Sequence, residues 1–309
     1  MDTQKTAIAQ RSQQKLYFEH RDMDYYLSWI LGRQIYGGSE PETCFKAASH
    51  IVEGDPDSWQ QAWAKQAQQI EARAETALGQ GDFDSAKERY LQACTYYRAP
   101  LFIMSPKAAT FWEYWHKMQV CFQTAAALFD PPVEAIQVPF QGNLLPGYLW
   151  PAARIGEHRG QQRPTLIIIG GLETFAEDGY FMVGQTSSER GYCAIAVDLP
   201  GQGMTPNNDL FFEARMGAAV KAVVDYALTR PEVDPDQLAL FGFSWGGHIV
   251  FKGAEYDQRI KALIATPAMP DVFRAALAQQ GQHGRGDRVG KAVFDQIAWR
   301  FGLKLSLKP

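Results

Sequence analysis

The sequence is sparing with cysteine, histidine and net charge, and it has no long apolar run. Its four cysteines, Cys44, Cys94, Cys121 and Cys193, are widely spaced and form no CxxC. That excludes a disulfide framework and a thiolate metal site, and it predicts buried thiols in a reducing compartment. The six histidines are scattered, none at ligand spacing from another, so neither a metal nor any other cofactor is expected. Thirty Lys and Arg face thirty-four Asp and Glu, a formal charge of −4. Such a balance gives no basic surface for nucleic acid or an anionic membrane. The longest apolar runs are strand-sized, such as residues 165–169, too short to span a bilayer. The opening MDTQKTAIAQRSQQK lacks the apolar stretch of a signal peptide, and a soluble cytoplasmic protein is expected.

What is present is ordinary globular material, 46% hydrophobic and 21% charged over 309 residues. Its periodicity changes near Pro131-Pro132. Before that point the pattern is helical and rich in Ala, Gln and aromatics. Residues 57–78 place Trp59, Trp63, Ala67, Ile70, Ala74 and Leu78 on one face, with Asp57 or Ser58 as candidate cap. Gly79-Gln-Gly81-Asp82 breaks that helix. A second runs over 84–97 and a third over 109–129. The first two resemble one tetratricopeptide hairpin, but no fixed period recurs. After Pro132 the spacing predicts a β-hairpin around Gln141-Gly-Asn143. Four apolar strand-like runs follow, TLIII (165–169), CAIAV (193–197), LALFG (238–242) and ALIAT (262–266). Helical patterns separate them, notably 213–228. Strands alternating with helices predict an α/β fold, a mostly parallel sheet with helices on both faces. The expected domains are a helical N-terminal cap over 1–132 and an α/β core over 133–309.

The stretch LALFGFSWGGHIVF carries the chemistry. A strand runs into Gly242-x-Ser244-x-Gly246, and an apolar helix follows. In this context G-x-S-x-G marks a sharp turn that holds a serine in a strained conformation with its hydroxyl exposed, a nucleophile. An oxyanion formed there needs backbone N–H donors. One is expected from Trp245, the residue after the serine. The second is expected from the loop after the third strand, Gly170-Gly171-Leu172-Glu173-Thr174, with Leu172 as donor and Gly171 as fallback. Glu173 and Glu177 lie close enough in sequence to reach the site, although surface roles suit them equally. Asp198-Leu-Pro-Gly-Gln-Gly203 after the fourth strand reads as a turn, with Asp198 stabilising it. His116, on the aromatic helix 109–129, is a packing residue or a substrate contact. The aromatics Tyr25, Tyr26, Trp29, Tyr96, Tyr97, Trp112 and Trp115 serve equally as helix core or as walls for an aromatic ligand.

These segments carry a family resemblance. SAKERYLQACTYYRAPLFI, WEYWHKMQVCFQTAAAL, IQVPFQGNLLPGYLWPA, IIIGGLETFAEDGYF, DLPGQGMTP and GFSWGGHI follow in that order. The chain resembles the α/β-hydrolases similar to 2,6-dihydroxypseudooxynicotine hydrolase, with the fungal polyketide-shortening hydrolases of pigment synthesis and the fermentation/respiration switch proteins. The resemblance covers about residues 20–275. It implies an N-terminal cap over the cleft, a Ser–Asp–His triad in that chain order, and hydrolysis of a carbon–carbon bond beside a ketone. It also implies a small carbonyl substrate, aromatic or polyketide, and a homodimer. Carboxylesterase or thioesterase activity, and a catalytically incomplete ligand-binding pseudo-hydrolase, stand as alternatives.

The chain departs from that family after Thr266. No later apolar strand leads to an Asp-bearing turn, and no histidine follows one, so a core truncated before its last strands is expected. Asp271, just past the sixth strand, and His283, in QGQHGRGDR, are the local candidates for acid and base.

Overall fold

The computed structural model describes residues 15–153, 161–268 and 287–303. Five helices come first: α1 (Arg21–Gly32), α2 (Pro41–Ala48), α3 (Pro56–Gly79), α4 (Phe83–Phe102) and α5 (Ala109–Ala127), with a 3₁₀ turn Arg33–Tyr36 after α1. None is long and apolar enough to cross a membrane. The start of α3 is capped one turn edge earlier than the sequence suggested. Asp55, not Asp57 or Ser58, accepts the N–H groups of Asp57 and Ser58, because Pro56 at the first helical position needs no acceptor. Helix α4 outlasts its expected end at residue 97 and runs through Pro100, drawn on by a buried run from Tyr90 to Phe102. Trp59, Trp63, Ala67 and Ala74 are fully enclosed, as their shared helical face requires.

The strands are β1 (Glu134–Phe140), β2 (Asn143–Trp150), β3 (Arg163–Ile169), β4 (Cys193–Val197), β5 (Val233–Phe243) and β6 (Ala262–Thr266). They form one sheet in the order β1-β2-β4-β3-β5-β6. The β1–β2 hairpin pairs Phe140 with Asn143, so its loop is Gln141-Gly142, and both have positive φ, 49° and 75°. Two consecutive left-handed residues make the tight turn whose twist suits a hairpin. β2 meets β4 antiparallel, while β3 lies parallel to β4 and β5, and β5 parallel to β6. Helix α6 (Gln185–Glu189) leads to β4, α7 (Gly217–Ala227) to β5, and α8 (Gly246–Tyr256) leaves it. A last helix, α9, covers Arg288–Arg300.

Side chains alternate across β3 and decide the layers. Ile167 and Ile169 join one buried cluster with α7 and α8. Ile168, Tyr148, Trp150, Ala194 and Ala196 face the other way and join a single cluster that includes the helices before β1. The sheet is therefore covered on both faces, as expected of parallel strands. β6 differs. It pairs only on one side among the described residues, and Ile264 is 49% exposed.

Candidate active site

At the end of β5 the chain turns sharply into α8. Ser244 sits at the turn with φ of +55°, a left-handed conformation unusual for a side chain with Cβ. Its N–H donates to Thr266 O at 2.9 Å, and its carbonyl accepts from Gly247 N at 2.8 Å. These two bonds fix the strained residue between β6 and the first turn of α8. The flanking glycines are needed for close approach: a Cβ on Gly242 would strike the carbonyl of Gly246, and one on Gly246 would strike Ile169 O. Ser244 is half-buried.

The loop 170–174 lies against it. A Cβ on Gly171 would come within 3.2 Å of Ser244 Oγ. The carbonyls of Gly170, Gly171 and Glu173 are taken by side chains behind the loop. Gln202 Nε2 donates to Gly170 O at 2.6 Å and to Gly171 O at 3.1 Å. Thr174 Oγ1 donates to Gly171 O at 3.0 Å, and Arg98 Nη2 donates to Glu173 O. Among the described residues, the N–H groups of Leu172 and Trp245 donate to no acceptor. Gly171 lies against Ser244 and Trp245 follows it in the chain; the Gly171 N–H likewise donates to no acceptor among the described residues.

Aromatic rings enclose the turn from two sides. Trp29, on α1, packs edge-on against Phe243 with 5.5 Å between centroids. Trp245 packs against Phe301 at 5.6 Å and Phe212 at 6.0 Å. Helix α1 and the segment after α9 therefore both reach the residues beside Ser244.

Behind the loop lies a buried set of charges that the sequence reading did not assemble. Asp178 is 1% exposed and takes Arg33 on one carboxylate oxygen; Arg98 Nε reaches the other at 3.3 Å. Phe175 N–H also donates to that second oxygen at 3.0 Å. Burial would raise the Asp178 pKa, but the two guanidiniums outweigh it and hold the carboxyl below the usual range. Arg300, fully enclosed, donates to Gly201 O at 2.9 Å, and burial lowers its pKa to about 10. The signal was present: Arg98 in TYYRAPLF and Arg300 in IAWRF are lone charges inside apolar and aromatic runs.

Glu177 is not a surface residue. It is 3% exposed and accepts from Tyr148 OH at 2.8 Å. Burial pushes its pKa up to about 7. Asp198, which the sequence placed as a turn residue, is also buried; desolvation and the neighbouring Glu177 push its pKa well up. Glu173 is half-buried and accepts from Tyr26 OH. His116 lies on the exposed side of α5 against Trp115, not among the residues packed around Ser244. Asp271 and His283 lie outside the described residues. Among the described residues, Ser244 Oγ has no histidine partner.

A strand-turn-helix serine on a sheet of this order defines an α/β-hydrolase, and residues 170–305 match the model of the alpha/beta hydrolase family. The chain belongs to that family. It is 33% identical over 320 residues to Hydrolase ORFZ of Pyricularia oryzae, covering 93% of this chain and 74% of that relative. It is 30% identical over 297 residues to Hydrolase LUC6 of a Fusarium species, covering 88% of this chain and 70% of that one. Its fold is similar to the crystal structure of 2,6-dihydroxy-pseudo-oxynicotine hydrolase, with a TM-score of 0.68 at 22% identity, covering 88% of this chain and 76% of that one.

Proposed function

We propose that this protein is a serine hydrolase of carbonyl compounds, and that its reaction is carbon–carbon cleavage of the β-diketone or polyketide type. The observation that carries the serine reading is Ser244 itself, held at φ +55° with Gly171 packed against it, while the N–H groups of Leu172 and Trp245 donate to no acceptor among the described residues. Strain of about 1–3 kcal/mol at one serine persists only where the surroundings enforce it, and such strain gathers at reacting groups.

In this reading a histidine accepts the hydroxyl proton, and Ser244 Oγ bonds to the substrate carbonyl carbon. The oxyanion takes hydrogen bonds from Leu172 and Trp245, the latter at the N-terminus of α8, whose dipole favours negative charge. Collapse breaks the bond to the adjacent carbon, whose electron pair leaves as an enolate. The histidinium, holding the proton taken from Ser244, protonates that carbon and is again free to act as base. Water then cleaves the acyl-serine to a carboxylic acid and restores the hydroxyl. The helices before β1 act as the cap, and Trp29 beside Phe243 supports an aromatic or polyketide ligand.

The test pairs two measurements on the full-length protein. A fluorophosphonate should label wild type stoichiometrically and leave Ser244→Ala unlabelled. Assayed side by side, a β-diketone should be cleaved faster than a p-nitrophenyl ester. Ester turnover without diketone cleavage would leave a carboxylesterase, and an unlabelled wild type would leave a ligand-binding pseudo-hydrolase.

A further inference from the structure

We propose that Gln202 is a positioning residue that aims the Leu172 N–H at the reacting oxygen. The inference rests on the reading of Ser244 as nucleophile and Leu172 as oxyanion donor. A peptide unit is planar, and in its trans form the carbonyl and the following N–H point in opposite directions. Among the described residues the only cis bonds precede Pro131 and Pro267, so the unit joining Gly171 to Leu172 is trans. Whatever holds Gly171 O therefore sets where Leu172 N–H points. Gln202 Nε2 holds it at 3.1 Å and Thr174 Oγ1 at 3.0 Å, both from behind the loop. The other side of Gly171 faces Ser244, 3.2 Å from Oγ to a Cβ built on residue 171.

Gln202 is itself held rigidly. It is 1% exposed, and its Oε1 accepts from Leu199 N–H at 3.0 Å. That bond fixes which end of the amide is the donor. Its backbone N–H closes the turn onto Leu199 O at 2.8 Å, and the next residue, Gly203, donates to Thr174 O at 3.0 Å. The DLPGQG turn thus grips the loop at both ends. One acceptor and two donors are all in use, a demand that glutamine meets and glutamate or methionine does not. A carboxylate at 202 would place like charge density against Gly170 O and Gly171 O. The peptide would turn to relieve it and carry the Leu172 N–H off target.

The test uses the full-length protein, with the rate constant of fluorophosphonate labelling at Ser244 and with kcat and KM for a p-nitrophenyl ester. For folded Gln202→Glu at neutral pH, labelling rate and kcat are expected to fall about 100-fold, as for loss of an oxyanion donor, with KM within about threefold. A residue that only supports the fold would change the melting temperature and the active fraction, leaving the labelling rate per folded molecule intact. Labelling and kcat within about twofold of wild type would overturn the inference. Where Gln202→Glu does not fold, Thr174→Val removes the other donor on Gly171 O. A loss of about tenfold, restored in Thr174→Ser, supports the inference, and a wild-type rate in Thr174→Val overturns it. A wild type that does not label at all, or a Ser244→Ala variant that still does, removes the nucleophile reading and this inference with it, an outcome distinct from failure of Gln202 alone.

Discussion

Gly171 and Ser244 are packed so closely that a β-carbon on residue 171 would lie 2.9 Å from Ser244 Cβ and 3.2 Å from its Oγ. Real side chains do not tolerate the first distance, so Gly171→Ala must push the loop and the serine apart. Because Gly170 O and Gly171 O are pinned from behind, the loop cannot withdraw without breaking those bonds. Gly171→Ala is expected to cut kcat by about 100-fold or more, the usual cost of a misplaced oxyanion donor. The measurement is single-turnover labelling of Ser244 alongside a thermal melt. A folded variant that labels at the wild-type rate would refute the packing argument.

The left-handed backbone of Ser244 leads to a second expectation, in which stability and activity move in opposite directions. Glycine adopts φ of +55° without the penalty that a Cβ brings. Ser244→Gly should therefore be inactive yet more stable than wild type, by about 1 kcal/mol. Ser244→Ala keeps the strain and should melt near the wild-type temperature while also inactive. Urea unfolding of the three proteins decides it. Equal stability of the glycine and alanine variants would show that the turn stores no strain.

The sheet and the serine turn were legible because both depend on local signals. β4 and β6 were read at their observed limits, 193–197 and 262–266, from apolar runs bounded by turns. The G-x-S-x-G spacing reports a steric need, and the collisions expected at Gly242 and Gly246 supply it. Helices α1, α2 and α9 were not read. Their apolar positions are mixed with charges such as Asp22 and Asp24, which are buried here; Asp24 satisfies the N–H groups of Leu16, Tyr17 and Phe18. The Arg33–Asp178–Arg98 cluster joins residues up to 145 positions apart, and no local pattern encodes such a meeting. The burial of Glu177, against the surface alternative, was hidden for the same reason: its partner Tyr148 is 29 positions away on β2.

Trp29 offers a separate handle on the ligand. Its ring meets Phe243, next to Ser244, and also Phe102 at 5.8 Å. If this wall contacts the acyl part of the substrate, Trp29→Ala should weaken large ligands selectively. KM for a p-nitrophenyl benzoate is expected to rise about tenfold, while that for the acetate stays within about twofold. Equal changes for both esters would place Trp29 in the packing of α1 alone.

Asp178 answers two buried guanidiniums, Arg33 and Arg98, with one carboxylate. Asp178→Asn keeps an acceptor for the Phe175 N–H but removes the carboxylate that both cations share. Removing one partner from a buried ion cluster costs about 3–5 kcal/mol, because the remaining charge is left desolvated. Arg98 also holds Glu173 O, so the loss should reach the active site. Chemical unfolding should show the destabilisation, and labelling of the folded fraction should slow. A variant as stable as wild type would mean that the three groups are not jointly ionised.

Glu177 makes the fold's stability depend on pH. Burial raises its pKa from the ordinary 4.5 to about 7, so between those values the folded protein holds a proton that the unfolded chain has lost. A native state that binds more protons loses stability as pH rises. The cost accumulates from about pH 4.5 to about pH 7 and is constant above, amounting to roughly 3 kcal/mol for a shift of this size. Glu177→Gln keeps an oxygen for the Tyr148 hydroxyl and carries no titrating group. It should match wild type near pH 4.5 and exceed it at pH 7.5. Urea unfolding of both proteins at the two pH values measures the difference directly. Parallel pH profiles would show that Glu177 is ionised in the folded protein throughout, held by Arg98 rather than by its proton.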